Sequence, residues 1–331
     1  MLQFIKRGLK SVYNKITMSQ TKKEIKKACL NCDLLNDKKK LKVLEEIQRK
    51  KQLALIDNDL SCVGICFSKD RALQLHALLL SYYKYVENPV KLYVLFTSSS
   101  EQHNKSYVEL IKLFEGYDIC FIKEKHFKND LEKILENIKS TKCFFMTDDA
   151  LFIDNIDLND FIKYNPAAAI PSLTKGLDLT FCFAFGKNQS LPIFIKELEL
   201  EKQQKCWNWS QAIESPDWAY PLSLDANLFD KNEILVILKN TYYKAPNTLE
   251  SNMQYYLNFF IYRKGICYDK VKYVNIPCNI VQTEWLNNTT GIYDANFLLK
   301  QWEDGNRIYF EKYYQQNCKI VQNAKFEFVV R

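Results

Sequence analysis

The sequence predicts an α/β protein with a mostly parallel central sheet, preceded by a basic, helical N-terminal arm. Three observations lead there. From Ser61 to Thr147 short β-prone apolar runs alternate with amphipathic stretches of helical length, the pattern of right-handed βαβ units. The formal charge of +7 is unevenly spread: residues 1–51 hold 15 Lys and Arg against 5 Asp and Glu, and the other 280 residues hold 31 against 34. Aromatic content of 14% excludes a disordered body, and 8 glycines in 331 residues exclude collagen, glycine linkers and glycine-rich phosphate loops.

The arm, residues 1–55, carries Leu2, Ile5, Leu9, Val12 and Ile16 at helical spacing, with Lys6, Arg7, Lys10 and Lys15 mostly off that stripe. Such a helix either lies on an anionic membrane surface through residues 1–20 or packs its stripe on the body or a partner. It lacks the continuous apolar core of a signal peptide, and no run reaches the ~18 residues of a membrane span. Residues 17–55 read as charged helices, with Leu41, Leu44 and Ile47 on one face. Eleven scattered cysteines, several inside apolar runs, read as buried free thiols of a reducing compartment. The expected location is cytoplasmic, with peripheral attachment to the inner face of a membrane if the arm binds lipid. Cys29 and Cys32 have half-site spacing, but no second pair follows and only His76, His103 and His126 exist, which argues against zinc.

Strands are expected at 61–67, 91–96, 118–122 and 142–147, separated by helices at 72–86, 104–115 and 127–139. Beyond them the pattern predicts strands at 167–172 and 177–185 and a helix at 189–204. A tryptophan-rich stretch follows at 206–229, then helices at 230–240 and 248–263, a strand near 271–276, and tail helices at 294–303 and 307–317. No repeat or low-complexity linker interrupts 56–331, which reads as one continuous domain.

Parallel sheets of this kind place ligands at the carboxyl ends of their strands. Three loops at that edge are polar: SKDR (68–71), TSSSE (97–101) and TDDA (147–150). Asp148 and Asp149 leave an apolar strand, where carboxylates are costly unless they meet a cation or strong donors. They either bind Mg²⁺ or Mn²⁺ through oxygen or cap a turn. There is no G-x-x-x-x-G-K-[ST], G-x-G-x-x-G or G-x-S-x-G. A body of net negative charge excludes nucleic acid as the expected partner.

The series VGICFSKDRALQLHALLLSY, KLYVLFTSSSE, FKNDLEKIL and CFFMTDDALFI resembles the nucleotide-sugar glycosyltransferases of the GT-A type, whose fold is Rossmann-like. DWAYPLSLDANLF and APNTLE (245–250) resemble bacterial family-2-like members with a YPxSLDG-type segment and a downstream PNxLE. The likeness spans roughly 60–290. Two positions depart from it: Thr147 stands at the first Asp of D-x-D, and Ala226 replaces the glycine after Asp225.

The resemblance implies a nucleotide-binding half at about 56–155 and an acceptor half at about 156–331. It implies that Phe67, Ser68, Lys69, Arg71, Thr97 and Ser98 line the nucleoside pocket. Asp149, helped by Asp148, would hold Mn²⁺ or Mg²⁺, with Asp148 also holding sugar or ribose. Asp225, Asp217 and Glu250, in that order, are the candidate bases for an inverting transfer. Trp207, Trp209 and Trp218 either stack on acceptor sugars or belong to the core. The expected activity is metal-dependent transfer of a hexosyl or N-acetylhexosaminyl group from a UDP-sugar to a glycan or lipid-linked acceptor. The alternatives are a nucleotidyltransferase or a non-catalytic scaffold of the same fold, its arm binding a partner or membrane.

Overall fold

The structure is a computed structural model that describes residues 54–57, 59–196, 200, 203–281 and 289–331. Expectations for residues 1–53, including the basic stripe and the Cys29/Cys32 pair, lie outside the described residues.

The first half follows the sequence pattern closely. In chain order it contains β1 (Cys62–Lys69), α1 (Ala72–Tyr85), β2 (Leu92–Thr97), α2 (Glu101–Leu113), β3 (Ile119–Lys123), α3 (Phe127–Asn137) and β4 (Lys142–Thr147). The four strands lie parallel in the order β3-β2-β1-β4. A later strand, β8 (Leu228–Asp230), adds antiparallel to the outer edge of β4. The result is the mixed α/β architecture with a mostly parallel central sheet that the sequence predicts.

The central strands are apolar along their whole length because helices cover both faces of a parallel sheet. Gly64 in β1 lets its neighbours approach closely: a Cβ there would lie 2.6 Å from Leu92 Cδ2 and 2.9 Å from the Phe144 ring. Helix α1 is apolar nearly all round, and Leu75, Leu78 and Leu79 are fully buried. It packs between β5 (Ala150–Phe152) and the later helix α6 (Ala295–Glu303).

Register fixes the site. β1 pairs Lys69 with Thr97 on one side and Phe67 with Thr147 on the other. The three polar loops therefore leave one carboxyl edge at nearly the same level. A second sheet stands beside this edge, with β9 (Lys264–Tyr268) between β6 (Ala169–Gly176) and β7 (Gln204–Asn208). A short ladder joins β5 to β10 (Tyr273–Asn275). Helices α4 (Lys231–Lys239) and α5 (Pro246–Met253) complete the layer.

The second half departs from the periodic reading in four places. Of 177–185 only Phe181–Cys182 is a strand, in a two-residue ladder with Lys187–Asn188. The expected helix at 189–204 is absent over its described residues. Pro192 cannot donate in a helix, and Phe194 instead bridges antiparallel to Trp207 and packs on Trp218. The helix at 248–263 begins earlier, with Pro246 in its first turn, and gives way to a 3₁₀ turn at Gln254–Tyr256. In 307–317 a strand, Asn306–Ile308, pairs with Phe328–Val330, and a 3₁₀ turn follows at Phe310–Tyr313. Tertiary contact outweighs helix period there: Tyr314 stacks on Tyr85 at 4.8 Å.

The three tryptophans are core. Trp207, Trp209 and Trp218 are fully buried, with ring centroids 4.6 Å (207–209) and 5.0 Å (207–218) apart. Trp207 Nε1 donates to the Trp218 carbonyl, and Trp218 Nε1 to the Leu179 carbonyl. Their spacing marked a packed cluster, and none is placed to stack on a sugar. Nine cysteines among the described residues are free thiols, eight of them buried. No helix among the described residues is long and apolar enough to cross a membrane.

Candidate active site

At the end of β4 the chain turns sharply, and the two carboxylates part. Asp148 points inward. Its Oδ2 accepts from Ser68 Oγ at 2.8 Å and from the Lys69 backbone N–H at 3.1 Å, and its Oδ1 accepts from Arg71 Nη1 at 2.9 Å. The Tyr107 hydroxyl lies 2.6 Å from Ser68 Oγ and accepts from the Arg71 N–H. Burial, offset by Arg71 and increased by the Asp149 charge, pushes Asp148 up to about 6.

Asp149 faces the other way. Its Oδ2 accepts from the same Arg71 Nη1 at 2.9 Å, and the residue lines a cavity of about 280 Å³. Arg71 is thus a buried guanidinium shared by both carboxylates, and its Nη2 donates to the Asn279 carbonyl at 2.7 Å. Burial opposes its charge, but the two carboxylates more than offset that and raise its pKa.

The remaining carboxylates reach the cavity from the second layer, and the SLDA and PNTLE segments prove to be one unit. Pro246 opens α5, Thr248 Oγ1 accepts from the Ala245 N–H, and Glu250 points back across the turn. Glu250 Oε1 accepts from Ser223 Oγ and from the Leu224 N–H, both at 3.1 Å, while Ser223 Oγ accepts from the Asp225 N–H. Asp225 Oδ1 accepts from Thr147 Oγ1 at 3.2 Å. Thr147, which stands where the resemblance expects an aspartate, ties the strand-end acids to Asp225. Tyr273 clamps the same residue, its hydroxyl accepting from the Thr147 N–H at 3.0 Å.

Burial, then the Asp225 charge, pushes Glu250 up to about 7. Burial and the Asp149 charge also raise Asp225, against bonds from Asn275 and Thr147. Lys175, at the end of β6, is a buried ammonium on the cavity wall that donates to Thr174 Oγ1 at 2.7 Å. Burial lowers its pKa, and the charges of Asp217, Asp225 and Glu250 oppose that.

The raised Glu250 has a consequence for stability. A carboxyl whose folded pKa lies above its unfolded value of about 4.5 favours the fold below that value and loses the contribution as pH rises through 7. Glu250→Gln, which keeps the acceptor oxygen, is therefore expected to be more stable than the parent at pH 8, by on the order of 2 kcal/mol. The difference should close below pH 4.5. His76, held down to about 4 by burial, acts oppositely between about 6.5 and 4, so the comparison must be made between the two proteins. Urea denaturation at pH 8 and pH 5 measures it; a less stable variant at pH 8 contradicts the assignment.

Ala226 bears on the same turn. Its φ is +50°, it is fully buried, its N–H donates to the Phe145 carbonyl at 2.7 Å, and its carbonyl accepts from the Leu173 N–H at 3.0 Å. The departure from glycine therefore sits in the left-handed region, pinned to both sheets. Ala226→Gly relieves strain of about 1 kcal/mol and loses a buried methyl of similar worth, so a net change within about 1 kcal/mol is expected. Ala226→Val adds a β-branched side chain at positive φ and should cost about 2 kcal/mol or more. Thermal melts of both variants test this.

Of the expected nucleoside residues, Ser68, Lys69 and Arg71 do meet Asp148. Phe67 does not: its ring is buried against Phe127 and Phe145 at 5.2 and 5.7 Å, because its position in the strand faces the core. Thr97 and Ser98 stand half-buried at the same edge, tied to the first loop where the Asp70 N–H donates to the Thr97 carbonyl at 3.3 Å. None of these six residues lines the cavity. Asp149, Asp217, Asp225 and Glu250 do. Lys175, Tyr273 and Asn275 were not foreseen; the one available signal was a lysine inside the apolar run AIPSLTKG.

The fit for a divalent metal is specific to one residue. Asp148 is turned inward, accepts from Ser68, Lys69 and Arg71, and does not line the cavity. Asp149 has only Oδ2 engaged among the described residues. No group of three or more His, Cys, Asp or Glu among the described residues is placed to hold a metal. A cation at Asp149 would need oxygens from a diphosphate and water, the usual manner of Mg²⁺.

No family model matches the sequence. Over 211 residues, 59% of the chain, it is 26% identical to the bifunctional glycosyltransferase pgtA of Dictyostelium discoideum, of which it spans 27%. Among solved structures it is similar to S. aureus TarS 1-349 in complex with UDP-GlcNAc, with 13% identity and a TM-score of 0.41 over 64% of this chain and 57% of that one. It is also similar to the mannosyltransferase PcManGT from Pyrobaculum calidifontis in complex with GDP-Man and Mn²⁺, with 11% identity and a TM-score of 0.29 over 40% and 42%. Structural likenesses of that size carry no argument about chemistry, and the chain spans about a quarter of its curated relative. What sequence motifs and sequence comparison give in common is a resemblance to glycosyltransferases.

Proposed function

We propose that the chain is a metal-dependent glycosyltransferase that takes a hexosyl or N-acetylhexosaminyl group from a nucleotide-sugar, UDP-linked by preference, to a glycan or lipid-linked acceptor. The observation that carries this is one cavity lined by Asp149 from the end of the parallel sheet and by Asp225 and Glu250 from the second layer. The sequence likeness to a glycosyltransferase supports the same reading.

In this reading the loop Ser68–Arg71, held by Asp148, forms the nucleoside side of the site. Asp149 would hold Mn²⁺ or Mg²⁺, which when bound neutralises the charge developing on the leaving diphosphate. Arg71, donating to both carboxylates, keeps Asp149 aimed at the cavity. Asp225 is the favoured base: it lines the cavity, and burial raises its affinity for a proton. As the acceptor oxygen bonds to the anomeric carbon, the bond from that carbon to the diphosphate breaks. The acceptor proton passes to Asp225, with Glu250 fixing the turn that carries it. The arm, as a membrane or partner element, belongs to the same proposal.

Isothermal titration of the full chain with UDP and with UDP-sugars, with and without Mn²⁺, tests the reading. Binding that strengthens with Mn²⁺ is expected. An absence of metal-linked heat with every nucleotide tried would favour the scaffold alternative.

A further inference from the structure

The hairpin Phe181–Asn188 is too short to hold itself. Its ladder has two residue pairs, Cys182 with Lys187 and Phe181 with Asn188, and an isolated ladder of that size is not stable in water. Asp217 holds it. Its Oδ1 accepts from the Cys182 thiol at 3.3 Å and its Oδ2 from Gln189 Nε2 at 2.7 Å, while its own N–H donates to Gln189 Oε1 at 3.2 Å. Both feet of the hairpin are thus tied to one carboxylate. Backbone groups of Phe185 and Ala184 hydrogen-bond the same Cys182 sulfur, fixing the turn, which closes through Gly186 at φ +61°. Asp217 is itself anchored in a single 3₁₀ turn, Pro216–Ala219, whose Trp218 is locked in the core.

The turn presents Phe183 and Phe185, both half-buried, to the cavity that Asp149, Asp225 and Glu250 share. A half-covered aromatic face gains when apolar surface covers it. The charged groups of the cavity are the carboxylates of Asp149, Asp217, Asp225 and Glu250 and the buried ammonium of Lys175, and Lys187 Nζ lies 5.9 Å from the Phe185 ring at the exposed edge of the hairpin. Carboxylates still outnumber cations, which disfavours an anionic ligand at this wall. A pyranose ring fits both demands, because it has an apolar C–H face and a rim of neutral hydroxyls.

We propose that this hairpin is the acceptor-side wall, that Phe183 and Phe185 form a platform for a neutral pyranose of the acceptor, and that Asp217 is a positioning residue for the platform. The proposal rests on the glycosyl-transfer reading and replaces the sequence expectation that Asp217 is a candidate base. Each Asp217 oxygen accepts from one foot of the hairpin, so the carboxylate serves to hold the platform in place.

The test has two arms. In the first, saturation-transfer NMR is run on the full chain with methyl glycosides of galactose, glucose, mannose and N-acetylglucosamine. Ring C–H protons of at least one should receive saturation. Phe183→Ala/Phe185→Ala should abolish the signal, Asp217→Ala should weaken it, and Asp217→Asn, which keeps an acceptor for Gln189, should restore it. A signal from no glycoside, or one unchanged in the double variant, overturns the platform. In the second arm, transfer kinetics are measured with the best glycoside. Asp217→Ala and Gln189→Leu should each raise the acceptor KM about ten-fold, with the donor KM unmoved. A fall in kcat of about 100-fold or more in Asp217→Asn at constant acceptor KM would make Asp217 a base instead. If the parent shows no metal-linked nucleotide binding, the transfer reading fails, and the NMR arm still decides on the platform.

Discussion

Asp149→Asn is expected to abolish Mn²⁺-linked nucleotide binding and to lower sugar transfer by about 10²–10³-fold or more, the range seen when one electrostatic contact to developing charge is removed. The substitution keeps the shape of the side chain and an oxygen for Arg71 Nη1, now 2.9 Å from Oδ2. It removes the charge that an oxygen-seeking divalent cation needs. Asp148 accepts from Ser68, Lys69 and Arg71 and does not line the cavity, so it is not placed to substitute. The fold should survive, since Asp149 is the more exposed of the two carboxylates and Arg71 retains Asp148. Circular dichroism checks the fold, and titration with UDP and Mn²⁺ reads the binding. Full metal-linked heat in the variant would remove Asp149 from the site.

The strands and helices from Cys62 to Thr147 were legible because each is long, periodic and bounded by polar loops. Such local signals also determine parallel register once the sheet is covered on both faces. The second half was less legible where partners distant in sequence decide the conformation. Phe194 pairs with Trp207 and packs on Trp218, and nothing within 189–204 itself, apart from Pro192, signals that. In the site, the acidic pair could be read from its place at a strand end. Its sorting into a donor-saturated Asp148 and a cavity-facing Asp149 could not, because it follows from Arg71, 77 residues earlier, which only the pairing of β1 with β4 brings near. The two departures from the family pattern acquire physical content in the same way. Thr147 donates to Asp225, where an aspartate would add another carboxylate beside two with raised pKa values. Ala226 keeps the backbone conformation that glycine would adopt more easily.

Arg71→Met should be the most destabilising change at the site. One buried guanidinium nitrogen donates to both Asp148 and Asp149, and the side chains are 9%, 5% and 17% exposed respectively. Breaking such a pair from one side leaves buried charge uncompensated, at a cost of about 3–5 kcal/mol. Methionine fills much of the volume, so the loss is electrostatic rather than a cavity. The sign with pH follows from the same geometry. Asp148 already has a folded pKa raised to about 6 against an unfolded 3.8, and Arg71 is what holds it that low. Without Arg71 it rises further, so the deficit should be greatest at pH 8 and shrink as acid protonates the carboxyl. Lysine should be a poor replacement, because a compact ammonium on a flexible stem cannot reproduce the guanidinium fork that also reaches the Asn279 carbonyl. Millimolar Mn²⁺ together with UDP should restore part of the loss at pH 8, since a cation held between Asp149 and the diphosphate supplies positive charge beside both acids. Urea denaturation at pH 8 and 5.5, with and without Mn²⁺ and UDP, measures the deficit, its pH dependence and the rescue. A deficit below about 1 kcal/mol, or one equal at both pH values, would mean that the two carboxylates do not depend on Arg71 for their charge.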